Sequence, residues 1–117
     1  RLKIFLPVLK KNNSMNFYQW SNKDALQINR YGMLEPYKQM NQIIPNIMLV
    51  PMLAYDRKKN RLGYGKGFYD RYLQKYLKNN NNILTIGIAF SFQKHHKLPV
   101  SYNDVKLNYI LTEKGIF

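Results

Sequence analysis

The chain has 117 residues, of which 45% are hydrophobic and 15% aromatic. This length fits one domain with a real core, and the composition excludes a disordered tail, a collagen-like fibre and a low-complexity linker. The 19 Lys and Arg residues against 6 Asp and Glu give a net charge of +13, which attracts anions such as nucleic acid, acidic lipid or phosphorylated small molecules. The absence of cysteine excludes disulfides and thiolate chemistry and favours a reducing intracellular setting.

The start of the chain carries no targeting or membrane signal. No apolar run approaches the roughly 18 residues of a membrane span, and residues 2–7 are too short for the apolar region of a signal peptide. We therefore expect a cytoplasmic protein with no membrane partner. Because the first residue is Arg1 and not methionine, we interpret the start as the interior of a longer chain.

The first part of the chain predicts short strands and bends. Residues 2–9 form an apolar run of strand length, and residues 16–20 predict a second short strand. Residues 24–30 predict a weak helical turn or a loop. Residues 31–36 predict a bend, because their glycine permits unusual backbone angles and their proline restricts the residue before it.

The middle of the chain predicts a strand, a loop and a helix in succession. Residues 47–55 are apolar almost throughout, which is typical of a strand buried on both faces, and Pro51 indicates a bulge or a strand end. Residues 56–60 predict a polar turn. Residues 61–67 form a glycine-rich loop, and residues 68–78 have the apolar periodicity of a helix.

The last part of the chain completes the pattern of an α/β protein. Residues 83–90 predict another buried strand, residues 93–99 a basic loop and residues 105–111 a last strand. Strand, loop, helix and strand across residues 47–90 predict a βαβ unit, which favours a mainly parallel sheet. We interpret residues 1–117 as a single domain.

The glycine-rich loop is the most informative stretch. Its glycines at positions 63, 65 and 67 let backbone amides approach a ligand without clashes from Cβ atoms. Arg61 and Lys66 add two cations, and the start of the following helix adds free N–H groups and a partial positive charge. This pattern predicts a phosphate cradle. It matches neither the P-loop nor the dinucleotide fingerprint, so a plain turn between strand and helix is the alternative.

Few carboxylates are available for metal binding or acid–base chemistry. They are Asp24, Glu35, Asp56, Asp70, Asp104 and Glu113. Asp70 follows the loop within the first helical turn, where it either stabilises the helix or binds Mg²⁺ beside the cradle. Asp104 is a second candidate if the fold brings residues 101–105 back, and otherwise a turn residue. Tyr69 directly follows the loop and is the favoured aromatic for stacking on a planar heterocycle.

Two stretches resemble the signature of the 5-formyltetrahydrofolate cyclo-ligase (5,10-methenyltetrahydrofolate synthetase) family. They are VPMLAYD at residues 50–56 and RLGYGKGFYDRYL at residues 61–73. The resemblance covers nearly the whole chain. Supporting matches are FLP at residues 5–7, GMLEP at 32–36, IGIAF at 86–90, Gln93, LPV at 98–100, Asp104 and TEKGI at 112–116.

The resemblance implies a three-layer α/β/α sandwich and an ATP- and Mg²⁺-dependent reaction. That reaction converts 5-formyltetrahydrofolate to 5,10-methenyltetrahydrofolate and releases ADP and phosphate. The implied ATP-binding residues are Arg61, Leu62, Gly63, Tyr64, Gly65, Lys66, Gly67, Phe68 and Tyr69, with Arg61 and Lys66 catalytic. The implied folate-binding residues are Tyr69, Glu35 and Tyr31, and the implied metal-associated acids are Asp70 and Asp104.

The chain departs from the resembled family at its front. Members begin with helices that carry a basic Lys-x-x-Leu-Arg motif, followed by a glutamate-bearing folate segment, whereas this sequence starts at about the strand before the family's central region. We therefore interpret the chain as a monomeric cyclo-ligase lacking its N-terminal part. A catalytically impaired fragment of such an enzyme is one alternative. A basic nucleic-acid-binding module is the other, although no signature of such a module is present.

Overall fold

The structure is a computed structural model that describes residues 2–79, 81–102 and 104–117. The chain folds into two compact units, Arg1–Pro45 and Asn46–Phe117. We describe each unit separately, and the single domain over residues 1–117 stays a prediction. Among the residues that the structure describes, no helix has the length and apolar character needed to cross a membrane.

The N-terminal unit begins with an antiparallel hairpin. Strand β1 (Ile4–Leu9) pairs with strand β2 (Met15–Trp20), and Leu6 lies opposite Tyr18. Two asparagines with left-handed backbone angles close the connection, with φ of 62° at Asn12 and 57° at Asn13. Both predicted strands are confirmed. Buried side chains lie on both faces of the hairpin, with Val8 and Tyr18 on one face and Met15 and Phe17 on the other.

A second hairpin follows in the same unit. Strand β3 (Leu26–Ile28) pairs antiparallel with strand β4 (Leu34–Pro36), and Gly32 turns the chain between them with a φ of 78°. The prediction of a helical turn or loop over residues 24–30 is therefore wrong, and the predicted bend over 31–36 continues into a strand. Short strands owe their conformation to cross-strand pairing more than to local propensity, so the local pattern missed them.

The C-terminal unit contains the predicted βαβ arrangement. Its elements are, in chain order, β5 (Ile47–Pro51), β6 (Ala54–Tyr55), β7 (Arg61–Leu62), α1 (Phe68–Lys78), β8 (Leu84–Ile88), β9 (Tyr109–Thr112) and β10 (Gly115–Ile116). The main sheet has the order β10-β9-β8-β5. Strand β8 pairs parallel with both β5 and β9, and β10 closes the edge antiparallel. The α/β class, the mainly parallel sheet and the helix over 68–78 are confirmed.

One face of this sheet is exposed, which corrects the sequence interpretation of β5. Met48 and Val50 are 2% and 0% exposed, whereas Ile47 and Leu49 are 54% and 61% exposed. The predicted burial on both faces is therefore wrong for the residues described. The cross-strand register places further apolar side chains on the same side. We call this surface the exposed sheet face, and it comprises Ile47, Leu49, Leu84, Ile86, Ile88, Tyr109, Leu111 and Ile116.

The number of helical layers also differs from the sequence-based expectation. Helix α1 is the one α-helix among the residues that the structure describes, and it buries Tyr72 and Leu73. A second helical layer is thus not seen, and the three-layer sandwich is not confirmed. On the buried face of the sheet, Gly87 allows close packing, because a Cβ there would lie 2.6 Å from Leu107 Cδ1 and 3.0 Å from Ile110 Cδ1.

Candidate active site

The glycine-rich loop is held at its start by a short hairpin. Strands β6 and β7 pair antiparallel, with Tyr55 opposite Arg61, and the Leu53 N–H donates to the Leu62 carbonyl at 2.8 Å. The predicted polar turn over residues 56–60 connects these two strands, and Lys59 turns in it with a φ of 66°. The hairpin therefore fixes where Arg61 lies and where the loop begins.

A buried carboxylate that the sequence analysis left without a role organises this hairpin. Asp56 is 4% exposed. Its Oδ1 accepts hydrogen bonds from the N–H groups of Lys58 at 3.0 Å and Asn60 at 3.1 Å. Its Oδ2 accepts from Asn60 Nδ2 at 3.1 Å and from the Leu98 N–H at 3.2 Å. The position of Asp56 at the start of a predicted turn could have indicated that its side chain stabilises the turn. Nothing in the sequence indicated its contact with Leu98.

The electrostatics of Asp56 follow from these contacts. Burial raises the pKa of its carboxyl group, but the hydrogen bonds from the Asn60 side chain and from the backbone N–H groups of Leu98, Asn60 and Lys58 outweigh burial and lower the pKa below its ordinary value. Asp56 is therefore ionised and satisfied. It braces the turn and anchors the segment near Leu98, and its oxygens are already occupied.

Arg61, Gly63 and Tyr69 form one local constellation. The Arg61 guanidinium carbon lies 5.5 Å from the centroid of the Tyr69 ring, within cation–π distance. A Cβ on residue 63 would lie 2.7 Å from both Nη1 and Nη2 of Arg61, so the glycine leaves the room that the guanidinium occupies. Burial raises the pKa of the Tyr69 phenol and the Arg61 charge partly opposes this, so the phenol is neutral at physiological pH.

Two donor atoms of Arg61 have no hydrogen-bond partner among the residues that the structure describes. Its Nε and Nη1 are buried and donate no hydrogen bond to any of the residues that the structure describes. Buried donors are almost always satisfied in folded proteins, and an exception calls for an explanation. A guanidinium held against an aromatic ring with free donors is suited to an anion that supplies the missing acceptors.

The rest of the loop leads directly into α1. Gly65 and Gly67 have left-handed φ values of 98° and 71°, and Gly67 is the residue that caps the start of the helix. The Arg71 N–H donates to the Gly67 carbonyl at 2.9 Å. Tyr64 and Lys66 are exposed. The structure thus combines left-handed glycines, an exposed lysine and a helix N-terminus, which is the local geometry that the sequence predicted.

The fold brings the segment of Asp104 to the start of α1. Asp70 Oδ1 accepts a hydrogen bond from the N–H of Val105 at 3.1 Å. Asp104 Oδ2 accepts from the Ser101 N–H at 3.0 Å, in a turn of its own. In residues 2–79, 81–102 and 104–117, no three His, Cys, Asp or Glu side chains gather into a metal-binding group. A cation here would therefore need oxygens from a ligand, as Mg²⁺ commonly does with phosphates.

The two other predicted substrate residues belong to the N-terminal unit. Glu35 is 7% exposed, and its carboxylate accepts hydrogen bonds from Gln27 Nε2 at 3.2 Å and Asn29 Nδ2 at 3.4 Å. Tyr31 is half-exposed, and its hydroxyl accepts from Arg30 Nη2 at 2.9 Å. Both lie on the hairpin β3–β4 or its turn. Their contact with folate stays a prediction.

Gln93, which the sequence matched to the family signature without a predicted role, stabilises the segment that precedes the β6–β7 hairpin. Its Nε2 donates to the carbonyls of Met52 at 3.2 Å and Leu53 at 3.0 Å, and its Oε1 accepts from the Phe90 N–H at 2.7 Å. The glutamine thus ties the end of β8 to the link between β5 and β6. The match of Gln93 to the family signature was the sequence feature that could have indicated its role. Its hydrogen-bond partners, Met52 and Leu53, lie about 40 positions away and could not be predicted from the local pattern.

The loop signature and this geometry agree with the comparison to known proteins. A sequence profile of the 5-formyltetrahydrofolate cyclo-ligase family matches residues 1–113. The chain belongs to this family. It is similar to the 5-formyltetrahydrofolate cyclo-ligases of Haemophilus influenzae, at 33% identity over 92% of this chain and 60% of that protein, and of Escherichia coli K12, at 30% identity over 98% and 65%.

Solved structures of the cyclo-ligase family share the fold. The NMR structure of 5,10-methenyltetrahydrofolate synthetase from Aquifex aeolicus matches with a TM-score of 0.77 and 30% identity, over 97% of this chain and 57% of that one. The synthetase from Mycoplasma pneumoniae matches with a TM-score of 0.67 and 26% identity, over 93% and 55%. The chain therefore spans somewhat more than half the length of these members.

Proposed function

We propose that the protein converts 5-formyltetrahydrofolate and ATP to 5,10-methenyltetrahydrofolate, ADP and phosphate. The observation that carries the proposal is Arg61, whose buried Nε and Nη1 lack partners beside the glycine-rich loop. Phosphoryl transfer demands positioning and charge neutralisation more than a protein nucleophile. The loop is suited to both, and the description of the matched family supports a formylated folate as the substrate.

The proposed reaction has two steps in which all atoms are accounted for. The formyl oxygen attacks the γ-phosphorus of ATP, a P–O bond forms, and the bond from the γ-phosphorus to the bridging oxygen breaks to release ADP. The folate N10 then attacks the activated formyl carbon, phosphate departs with the formyl oxygen, and N10 loses its proton. Both steps develop negative charge on phosphate oxygens, which is where cations and N–H donors are most effective.

In this proposal Arg61, Lys66 and Tyr69 each have a distinct role in binding the substrates. Arg61 donates to phosphate oxygens from a position fixed by Tyr69 and by the space at Gly63. Lys66 adds a second cation from an exposed position in the loop. The neutral Tyr69 offers a ring and a hydroxyl to the folate. Mg²⁺ supplies further charge neutralisation when bound, and Asp70 with Asp104 would hold it.

The direct test is turnover by the intact protein. With ATP, Mg²⁺ and 5-formyltetrahydrofolate present, we expect methenyl product to accumulate, measured by its absorbance, and to be absent when ATP is omitted. The stoichiometry of ADP release gives an independent readout. Failure to form product with both substrates at saturation would contradict the proposed activity.

Gly63→Ala should lower activity with little effect on folding. The new Cβ would overlap the space of Arg61 Nη1 and Nη2 and push the guanidinium off the Tyr69 ring. We expect kcat/KM to fall about tenfold, because the displaced charged contact would raise the activation free energy by about 1.4 kcal/mol. Arg61→Lys, which keeps the charge and loses the planar donors, should behave alike. Full activity in both variants would contradict this role of Arg61.

We also propose that the complete fold is a three-layer α/β/α sandwich and that the protein is a cytoplasmic monomer. The exposed sheet face supports the first point, because a contiguous apolar surface on a parallel sheet is normally covered by helices. If helices of the same chain cover it, no second copy is needed. Sedimentation equilibrium of the intact protein measures this, and the mass of a dimer would contradict the monomer.

A further inference from the structure

A cavity of about 410 Å³ lies in the C-terminal unit, apart from the residues of the glycine-rich loop. It is bordered by the turn after β6, the segment after β8 and the end of the chain. We call it the basic cavity, because four of its lining side chains are cations, namely Arg57, Lys59, Lys94 and Lys114. None of residues 61–70 lines it, so the proposed ATP site does not account for it.

The basic cavity has more cations than carboxylates. Asp56 lines the cavity, but its oxygens are engaged by four hydrogen bonds from Lys58, Asn60 and Leu98. Glu113 is nearby, and its two oxygens accept from the N–H and the hydroxyl of Ser91 at 2.7 and 2.6 Å. Both acids are held in structural contacts and keep their negative charge, so two negative charges lie close to four positive ones and the cavity keeps a net positive charge.

Two of the four cations interact with neighbouring side chains. Lys59 Nζ lies 5.6 Å from the centroid of the Tyr109 ring, within cation–π distance. Lys114 interacts with the Glu113 carboxylate, whose pKa is lowered by hydrogen bonds from Ser91 and also by the Lys114 charge. Like charges that converge on one cavity repel each other, and an anion placed between them relieves that repulsion.

The remaining lining is apolar and aromatic. Tyr55, Ile110 and Phe117 border the cavity, so it offers contact area as well as charge. Its volume falls within the range of about 300–1,000 Å³ that is usual for small-molecule sites. A simple monovalent ion would use little of this space. The dimensions and charges together suit a small molecule that carries several anionic groups.

We propose that the basic cavity is a second ligand site, which binds a small polyanion bearing two or more phosphate or carboxylate groups. Lys94 and Lys114 come from the segment after β8 and from the β9–β10 hairpin, and Arg57 and Lys59 come from the β6–β7 turn. A bound polyanion therefore joins three segments of the unit.

The test is an NMR titration of the intact ¹⁵N-labelled protein. Inorganic pyrophosphate serves as the phosphate probe and citrate as the carboxylate probe. We expect saturable shifts of the Ser91, Lys94 and Lys114 amide signals with at least one probe, and the tighter probe identifies the preferred class. Absence of saturable shifts at these amides with both probes, or shifts confined to residues 61–70, would overturn the proposal.

Matched variants separate this site from general charge and from the proposed active site. Lys94→Gln combined with Lys114→Gln should weaken binding about tenfold, which corresponds to about 1.4 kcal/mol. Lys78→Gln, an exposed lysine at the end of α1, should leave the affinity unchanged. Lys66→Ala should retain binding at the basic cavity whatever its turnover. Equal affinity in the double variant, or an equal loss in Lys78→Gln, would overturn the assignment.

Discussion

Lys66→Ala is expected to reduce turnover of 5-formyltetrahydrofolate by about 100-fold or more, in line with the loss of one transition-state contact of about 3 kcal/mol. Lys66 is exposed on a loop whose flanking glycines, Gly65 and Gly67, have left-handed backbone angles. Its ammonium is therefore free to meet a nucleotide phosphate as charge develops. The measurement is kcat and KM for ATP under saturating folate.

Stability separates this effect from unfolding. Because the Lys66 side chain is exposed, we expect the free energy of unfolding to change by no more than about 0.5 kcal/mol. Lys78→Ala removes the same charge from the opposite end of α1 and should leave turnover unaffected. Unchanged kcat/KM in Lys66→Ala would contradict the assignment of the loop to phosphate binding. Equal losses of activity in Lys66→Ala and Lys78→Ala would show that the loss comes from the change in net charge.

Asp56→Ala is expected to destabilise the protein by about 3 kcal/mol, because buried N–H donors would lose their acceptor. The carboxylate is 4% exposed and accepts from the backbone of Lys58, Asn60 and Leu98. The measurement is the urea midpoint of the intact protein at neutral pH. Asp24→Ala is the matched control, because that carboxylate binds Ser21 on the exposed surface. Similar midpoints for the two variants would contradict the structural role of Asp56.

The same carboxylate should shape the acid limb of stability. The folded-state pKa of Asp56 is lowered from its ordinary value of 3.8, so its contribution is fully present above that value. The contribution is lost as the pH falls from about 4 through the lower folded-state pKa. Asp56→Ala should therefore flatten the dependence of the unfolding free energy on pH in this acid range. An unchanged slope relative to the parent protein would show that Asp56 is not the titrating group.

Local patterns in the chain identified the elements that surround the candidate site. The apolar periodicity of residues 68–78 predicted a helix, and α1 spans Phe68–Lys78. The apolar runs near residues 47 and 83 predicted parallel strands, and β5 and β8 pair in parallel. These features depend on side-chain periodicity over a few turns, which a linear sequence displays directly. The loop motif was equally visible because its spacing is local.

Local patterns gave wrong predictions where burial or strand formation depended on a segment that is distant in the sequence. The strand β5 has the composition of a strand buried on both faces, yet Ile47 and Leu49 are exposed. The amino-acid composition of a strand shows how apolar its two faces are. Whether a face is buried depends on whether another segment packs against it. The strand β3 was missed for a related reason, since three residues adopt an extended conformation only when Leu34–Pro36 pairs with them.

The chain's own pattern was thus sufficient for the α/β class, the glycine-rich loop that leads into α1 and the resemblance to the cyclo-ligase family. Three-dimensional packing was needed to join Asp70 to Val105, 35 positions away, and Asp56 to Leu98, 42 positions away. It was also needed to leave Arg61 with unpaired donors against Tyr69. The physical reason is that hydrogen bonds, burial and charge act over a few ångströms in space, whereas periodicity and spacing describe only neighbours along the chain.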